Sequence, residues 1–61
     1  MIGKQIISKL EEECWKVLRS SGSHYRLGKG NKRTTVPVHG HKDLGKGLMA
    51  AIERQTGVKL S

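Results

Sequence analysis

Apolar residues Ile2, Ile6, Leu10 and Cys14 recur every four positions, with Ile7 beside them. That spacing places them along one face of a helix and predicts a helix over about residues 3–13. Glu11, Glu12 and Glu13 crowd its C-terminal end, where acidic charge opposes the helix dipole, so fraying or bracing by nearby lysines is expected there. From Trp15 the period falls to two. Trp15 and Val17 alternate with Lys16, which predicts a strand to about residue 20 with the indole turned toward the helix, although Leu18 breaks the alternation. Ser20-Ser21-Gly22 signals a turn, and residues 24–28 alternate again. Tyr25 and Leu27 then point one way and His24 and Arg26 the other. Residues 28–33 read as a hairpin loop rich in glycine and cation. Residues 34–38 form a third strand with Val36 and Val38 on its inner face. Pro37 cannot donate a ladder hydrogen bond, so this strand lies at an edge or ends there. After a loop over residues 39–42, Asp43 is a candidate N-cap for a second helix. Leu44, Leu48, Ala51, Ile52 and Gln55 form its stripe, Met49 adjoins it, and Gly57 marks its stop. Val58 and Leu60 are expected to fold back on the core.

The order is helix, three strands, helix. Each helix has a single apolar stripe, and an antiparallel sheet needs only one face covered, so both helices are expected on the same side. This α+β layout resembles the double-stranded-RNA-binding domain. It leaves an open sheet face to His24, Arg26, Lys16 and the partners on the third strand.

The 61 residues make one domain, residues 1–61, with a thin core: 34% are hydrophobic, with one Trp, one Tyr and no Phe. A small scaffold of this kind often leans on a partner or an oligomer. Charge changes the picture most. Twelve Lys and Arg against five Asp and Glu give a net +7, with the excess concentrated between Lys16 and Lys46, where only Asp43 opposes it. A basic centre of this density is the footprint of a phosphate-backbone binder, and a merely solvated basic surface is the plainer alternative. The single Cys14 cannot form an internal disulfide, which suits a reduced, cytoplasmic protein. No apolar run reaches the roughly 20 residues of a membrane span, and no signal-peptide core opens the chain, so a soluble protein with no membrane partner is expected.

His24 is the leading chemical candidate. Cleaving RNA through its own 2′-hydroxyl requires a base for that proton, a group to stabilise the charged phosphorane and an acid for the leaving oxygen. Imidazole, with an ordinary pKa near 6.5, suits both proton transfers. Arg26, two residues on and on the same strand face, offers a planar fork of donors for phosphate charge. From the residues alone, a surface histidine on a half-exposed strand is the plainer reading, because a lone histidine lacks the orienting partner of a recognised site. His39 and His41 form a His-x-His pair, but no clustered carboxylate or nearby cysteine completes a ligand set, so no metal and no other cofactor is expected. His39 and His41 are instead loop cations or RNA contacts. Cys14 sits beside Glu13, which disfavours its thiolate, and its place on the apolar stripe predicts a buried structural role. Trp15 is assigned to the core. Gly45-Lys46-Gly47 opens the second helix, where glycines either receive a phosphate or allow close packing.

Together, Trp15, Gly22-Ser23-His24, Thr35-Val36-Pro37-Val38-His39, Lys42-Asp43-Leu44, Gly47, Ile52 and Gln55-Thr56-Gly57 resemble the HicA toxin family of bacterial toxin–antitoxin systems. The resemblance runs in order through nearly the whole chain, and its most specific parts are the Gly-Ser-His turn and the Thr-Val-Pro-Val-His run. It departs at Cys14, where a glycine usually precedes the aromatic, and at Leu48-Met49, which replaces a common Thr-Leu pair. The resemblance implies a small endoribonuclease of double-stranded-RNA-binding fold that cleaves mRNA and arrests translation. It also implies a cognate HicB antitoxin that masks the site, and His24 as the catalytic residue.

The expected activity is therefore metal-independent mRNA cleavage with His24 as general acid or base. Lys16, Arg26, Lys29, Lys32, Arg33, Lys42 and Lys46 are the expected RNA-backbone contacts. Two rivals use the same surface without chemistry: a non-catalytic RNA-binding module, and an interaction subunit that docks an acidic protein.

Overall fold

The structure, a computed structural model, describes residues 1–60. Its elements run α1 (Gly3–Glu12), β1 (Lys16–Ser21), β2 (His24–Lys29), β3 (Lys32–Pro37) and α2 (Lys46–Thr56). The three strands form one antiparallel sheet in the order β1-β2-β3, so the α+β layout expected from the sequence is the one observed.

Register decides which residues share a face. Tyr25 lies opposite Val36 and Leu27 opposite Thr34, so these four project to one side of the sheet. Leu27, Val36 and Thr34 are buried there, and Ile6 and Leu10 of α1, Ile52 of α2, Trp15 and Leu60 join them in a single core. Both helices therefore pack on the same face. Full burial of each large apolar side chain contributes about 1.5–3 kcal/mol, so few residues hold this chain together. Thr34 brings a polar atom into the core, where its hydroxyl donates to Gln55 Oε1 at 2.8 Å and ties β3 to α2. Beyond α2 the chain folds back as expected. Leu60 is buried and its N–H donates to Glu53 Oε2 at 2.7 Å.

Several local expectations need correction. The repeat that assigned Cys14 to the core continues one step past the end of α1. The Cys14 N–H donates to the Glu11 carbonyl at 3.1 Å and the Trp15 N–H to the Leu10 carbonyl at 3.0 Å. This is a Schellman closure, and it holds Cys14 in the left-handed region at φ 72°. The turn rotates Cys14 into solvent and sends Trp15 into the core beside Leu10. The left-handed conformation costs an L-residue about 1–2 kcal/mol, part of which glycine gives back through its greater unfolded-state freedom. Cys14→Gly is therefore expected to stabilise the chain by about 0.5–1 kcal/mol. In thermal unfolding a gain of this size raises the midpoint by roughly 2–8 °C in so small a domain. A lowered midpoint would contradict the assignment.

Asp43 is not the N-cap of α2; Gly45 holds that position with extended backbone. Asp43 instead forms an isolated bridge with Ile2, and its carboxylate lies 3.4 Å from the amino group of Met1. Leu48 is exposed, and Gln55 meets the core only through its amide oxygen. The loop expected over residues 28–33 is a tighter hairpin, because β2 continues to Lys29 and β3 starts at Lys32. Its two-residue turn has Gly30 at φ 61°, and the first hairpin turns in the same way at Gly22-Ser23, with Gly22 at φ 58°. Glycine as the first turn residue is what a II′ hairpin requires.

Candidate active site

The turn at Gly22-Ser23 delivers His24 as the first residue of β2, opposite Ser21 on β1 and Pro37 on β3. Alternation carries His24, Arg26 and Gly28 to the sheet face opposite the core, together with Arg33, Thr35 and Pro37 of β3. His24 is exposed. Arg26 is half-buried, and its Nη1 donates to Thr35 Oγ1 at 2.9 Å, which fixes one edge of the guanidinium and leaves other donors free.

Two arginines meet on this face. β1 pairs Val17 with Leu27 but Arg19 with Arg26, so the register slips by one residue at Leu18. The bulge reverses the inside-outside pattern for the rest of β1 and brings Arg19 beside Arg26. Strict alternation from Trp15 and Val17 would have turned Arg19 toward the helices. The broken pattern at Leu18 was the available signal. Gly28 marks the far end of the face: a Cβ there would stand 2.7 Å from Leu18 Cδ1 and 3.0 Å from Arg33 Nη1. The absent side chain is what lets Leu18 and Arg33 cross the sheet closely.

Lys16, opposite Gly28, is exposed on the open face with Arg26 and His24. Lys29 and Lys32 flank the turn of the second hairpin, at the end of β2 remote from His24. Arg33 bends onto that turn, donating from Nη1 to the carbonyls of Gly30 at 2.9 Å and Lys32 at 2.7 Å. Five residue steps separate His24 from Lys29, about 17 Å at the usual strand rise, and alternation gives Lys29 and Lys32 the parity of the helix side, so these two flank the open face only at the hairpin tip. No Asp or Glu lies between Lys16 and Pro37, and all five acidic residues are outside the sheet. Lys42 closes a turn onto the His39 carbonyl, to which its N–H donates at 3.1 Å. Lys46 stands apart: it opens α2, in the helical layer, and lines a pocket of about 280 Å³ with Met49, Ala50 and Glu53.

The structure also brings in His39, a loop residue in the sequence pattern. The rings of His24 and His39 lie 6.2 Å apart between centroids, edge to face at 87°. Extending the alternation of Val36 and Val38 by one residue would have placed His39 on the outer face, but only the strand register shows that it lands beside His24. Among the described residues no three or more His, Cys, Asp or Glu side chains gather as a metal site would need, and no helix is long and apolar enough to cross a membrane. The open face thus offers two exposed imidazoles beside arginine and lysine cations, and imidazole is a group suited to proton transfer.

Comparison with known proteins gives a consistent picture. The family model described as "HicA toxin of bacterial toxin-antitoxin" matches residues 3–58. A protein of Pseudomonas fluorescens (strain Pf0-1) named "Probable mRNA interferase HicA" is 42% identical over 38 residues, a stretch covering 62% of this chain and 63% of that relative. No solved structure matches the chain significantly.

Proposed function

The chain belongs to the HicA toxin family, and from that premise we propose that it is an endoribonuclease that cleaves mRNA without a metal ion, using His24 as general acid or base. The observation that carries this reading is the placement of His24, exposed on an open, carboxylate-free sheet face with Arg26 and Arg19 alongside. The relative named as an mRNA interferase supports the substrate class.

In this reading the RNA backbone lies along the open face. Arg26 holds it near the chemistry, Lys16 holds it at the far end of the face beside Gly28, Lys29, Lys32 and Arg33 hold it at the hairpin tip, and Lys42 reaches it from the loop. Lys46, in the helical layer, touches only RNA that wraps around the sheet edge. The 2′-hydroxyl attacks the adjacent phosphorus, His24 handles one proton, and the Arg26 guanidinium neutralises charge growing on the phosphorane oxygens. Arg26 suits that task because its bond to Thr35 orients it before substrate arrives. A HicB-type antitoxin would silence the enzyme by covering the same face, since a surface that attracts phosphates equally attracts acidic side chains. Action in the cytoplasm, where mRNA is translated, completes the proposal.

The test is product chemistry. The purified chain, incubated with mRNA in excess chelator, is expected to yield fragments ending in 2′,3′-cyclic phosphate and 5′-hydroxyl. Cleavage that stops in chelator and returns with added divalent ion would overturn the metal-free mechanism. RNA that is bound but never cut would favour a non-catalytic binding module instead.

A further inference from the structure

Attack by the 2′-hydroxyl needs two proton transfers at different oxygens, and His24 occupies one position. We propose that His39 is the second catalytic residue and makes the proton transfer His24 does not; the inference rests on the ribonuclease reading above.

Its position is built into the fold. Pro37 lies opposite His24, and one step further the Val38 N–H donates to the Ser23 carbonyl at 2.6 Å. That bond extends the pairing past the end of β3, so residue 39 keeps the parity of residue 37 and projects from the same open face as His24. His39 thus becomes the diagonal neighbour of His24, a relation that brings long or aromatic side chains within reach of one another. The two ring planes stand nearly perpendicular, at 87°. No hydrogen bond joins them, and each imidazole is exposed. Proton transfer needs an approach of about 2.6–3.2 Å, so a phosphodiester lodged between two rings this far apart can touch both.

The surroundings fit an acid–base pair. Arg26 shares the sheet face with His24, across from Thr35, and the backbone turn from His39 to Lys42 keeps Lys42 in the same loop. His41 follows in the same turn, and the nearest carboxylate in sequence, Asp43, is engaged with the Met1 amino group. Among the described residues neither ring is paired with a carboxylate. In the balanced step, neutral imidazole on one residue takes the 2′-hydroxyl proton as the O2′–P bond forms. The P–O5′ bond breaks as imidazolium on the other gives its proton to the departing 5′-oxygen. The two side chains end with exchanged protonation, which water restores.

The experiment compares wild type, His24→Ala, His39→Ala and His39→Asn on a short RNA containing a site mapped with the wild-type chain. The same RNA is also made with sulfur replacing the 5′-oxygen of the scissile bond, because a thiolate leaves without a proton. His39→Ala and His39→Asn are expected to melt like wild type and bind RNA equally well, to cleave about 100-fold or more slowly, and to lose one limb of a bell-shaped pH–rate profile. On the sulfur substrate one of the two single variants, His24→Ala or His39→Ala, should recover most of the wild-type rate while the other does not; the one that recovers identifies the acid. An unimpaired His39→Ala overturns the inference alone. Slow His39 variants that keep both pH limbs, with neither histidine variant rescued by sulfur, show a positioning role and overturn it as well. A wild-type chain that cleaves no RNA overturns both this inference and the ribonuclease reading.

Discussion

His24→Ala is expected to fold, bind RNA and fail to cut it. The side chain is exposed, contributes nothing to the core, and among the described residues its one ring contact is the edge-to-face approach with His39. Removing an exposed group of this kind usually changes stability by no more than about 0.5 kcal/mol. RNA affinity should also hold, because the backbone contacts belong to the lysines and arginines along the sheet. Cleavage should fall by about 10²–10⁴-fold, the usual contribution of a positioned acid or base. Thermal melting and RNA-binding titrations of the variant check the first two expectations. They also exclude the trivial explanation that a lost activity reflects a lost fold.

RNA binding should collapse as salt rises. Each phosphate neutralised on a single strand releases counterions and adds about −0.7 to the slope of log affinity against log salt. With Lys16, Arg26, Lys29, Lys32, Arg33 and Lys42 as contacts the slope is about −4, which means a loss of roughly 10²–10³-fold between 50 and 200 mM salt. His24→Ala is the suitable protein for this titration, because the RNA survives the measurement. Replacing Lys16 or Lys29 by Ala should make the slope shallower by about one contact's worth, whatever the RNA sequence. Arg33 is spent partly on its own turn, so its substitution should also loosen the hairpin tip. An affinity unchanged across that salt range would remove the proposed track.

The large features were legible in the chain because they follow from periodicity. Ile6 and Leu10 on one helical face, Tyr25 and Leu27 against His24 and Arg26, and the stop at Pro37 are all local patterns, and the fold keeps them. What escaped depends on closures and pairings that a local pattern does not contain. Cys14 continued the four-residue repeat perfectly, yet the Schellman turn swings it out of the stripe. Asp43 has the chemistry of an N-cap, but pairing with Ile2 draws it away from α2. Arg19 reaches the open face only because the sheet absorbs Leu18 as a bulge. His39 is a loop residue in the sequence pattern, and its meeting with His24 needed the register of β2 against β3.

The corrected picture also makes the site more economical. A 61-residue chain has little interior in which to bury a charged or polar active site, since the core is already filled by seven apolar side chains. The proposed chemistry lies on the uncovered face of the sheet, where side chains need no desolvation to meet an equally solvated substrate. Orientation comes from the backbone: the hairpin turn at Gly22 sets His24, and the Val38–Ser23 hydrogen bond sets His39.

The most direct measurement of the central claim is a cleavage time course with wild-type and His24→Ala chains side by side, on the same RNA, at concentrations giving equal occupancy. The account predicts rapid cutting by wild type in chelator and a rate at least about 100-fold lower for the variant. Equal rates from two equally folded, equally bound proteins would contradict it.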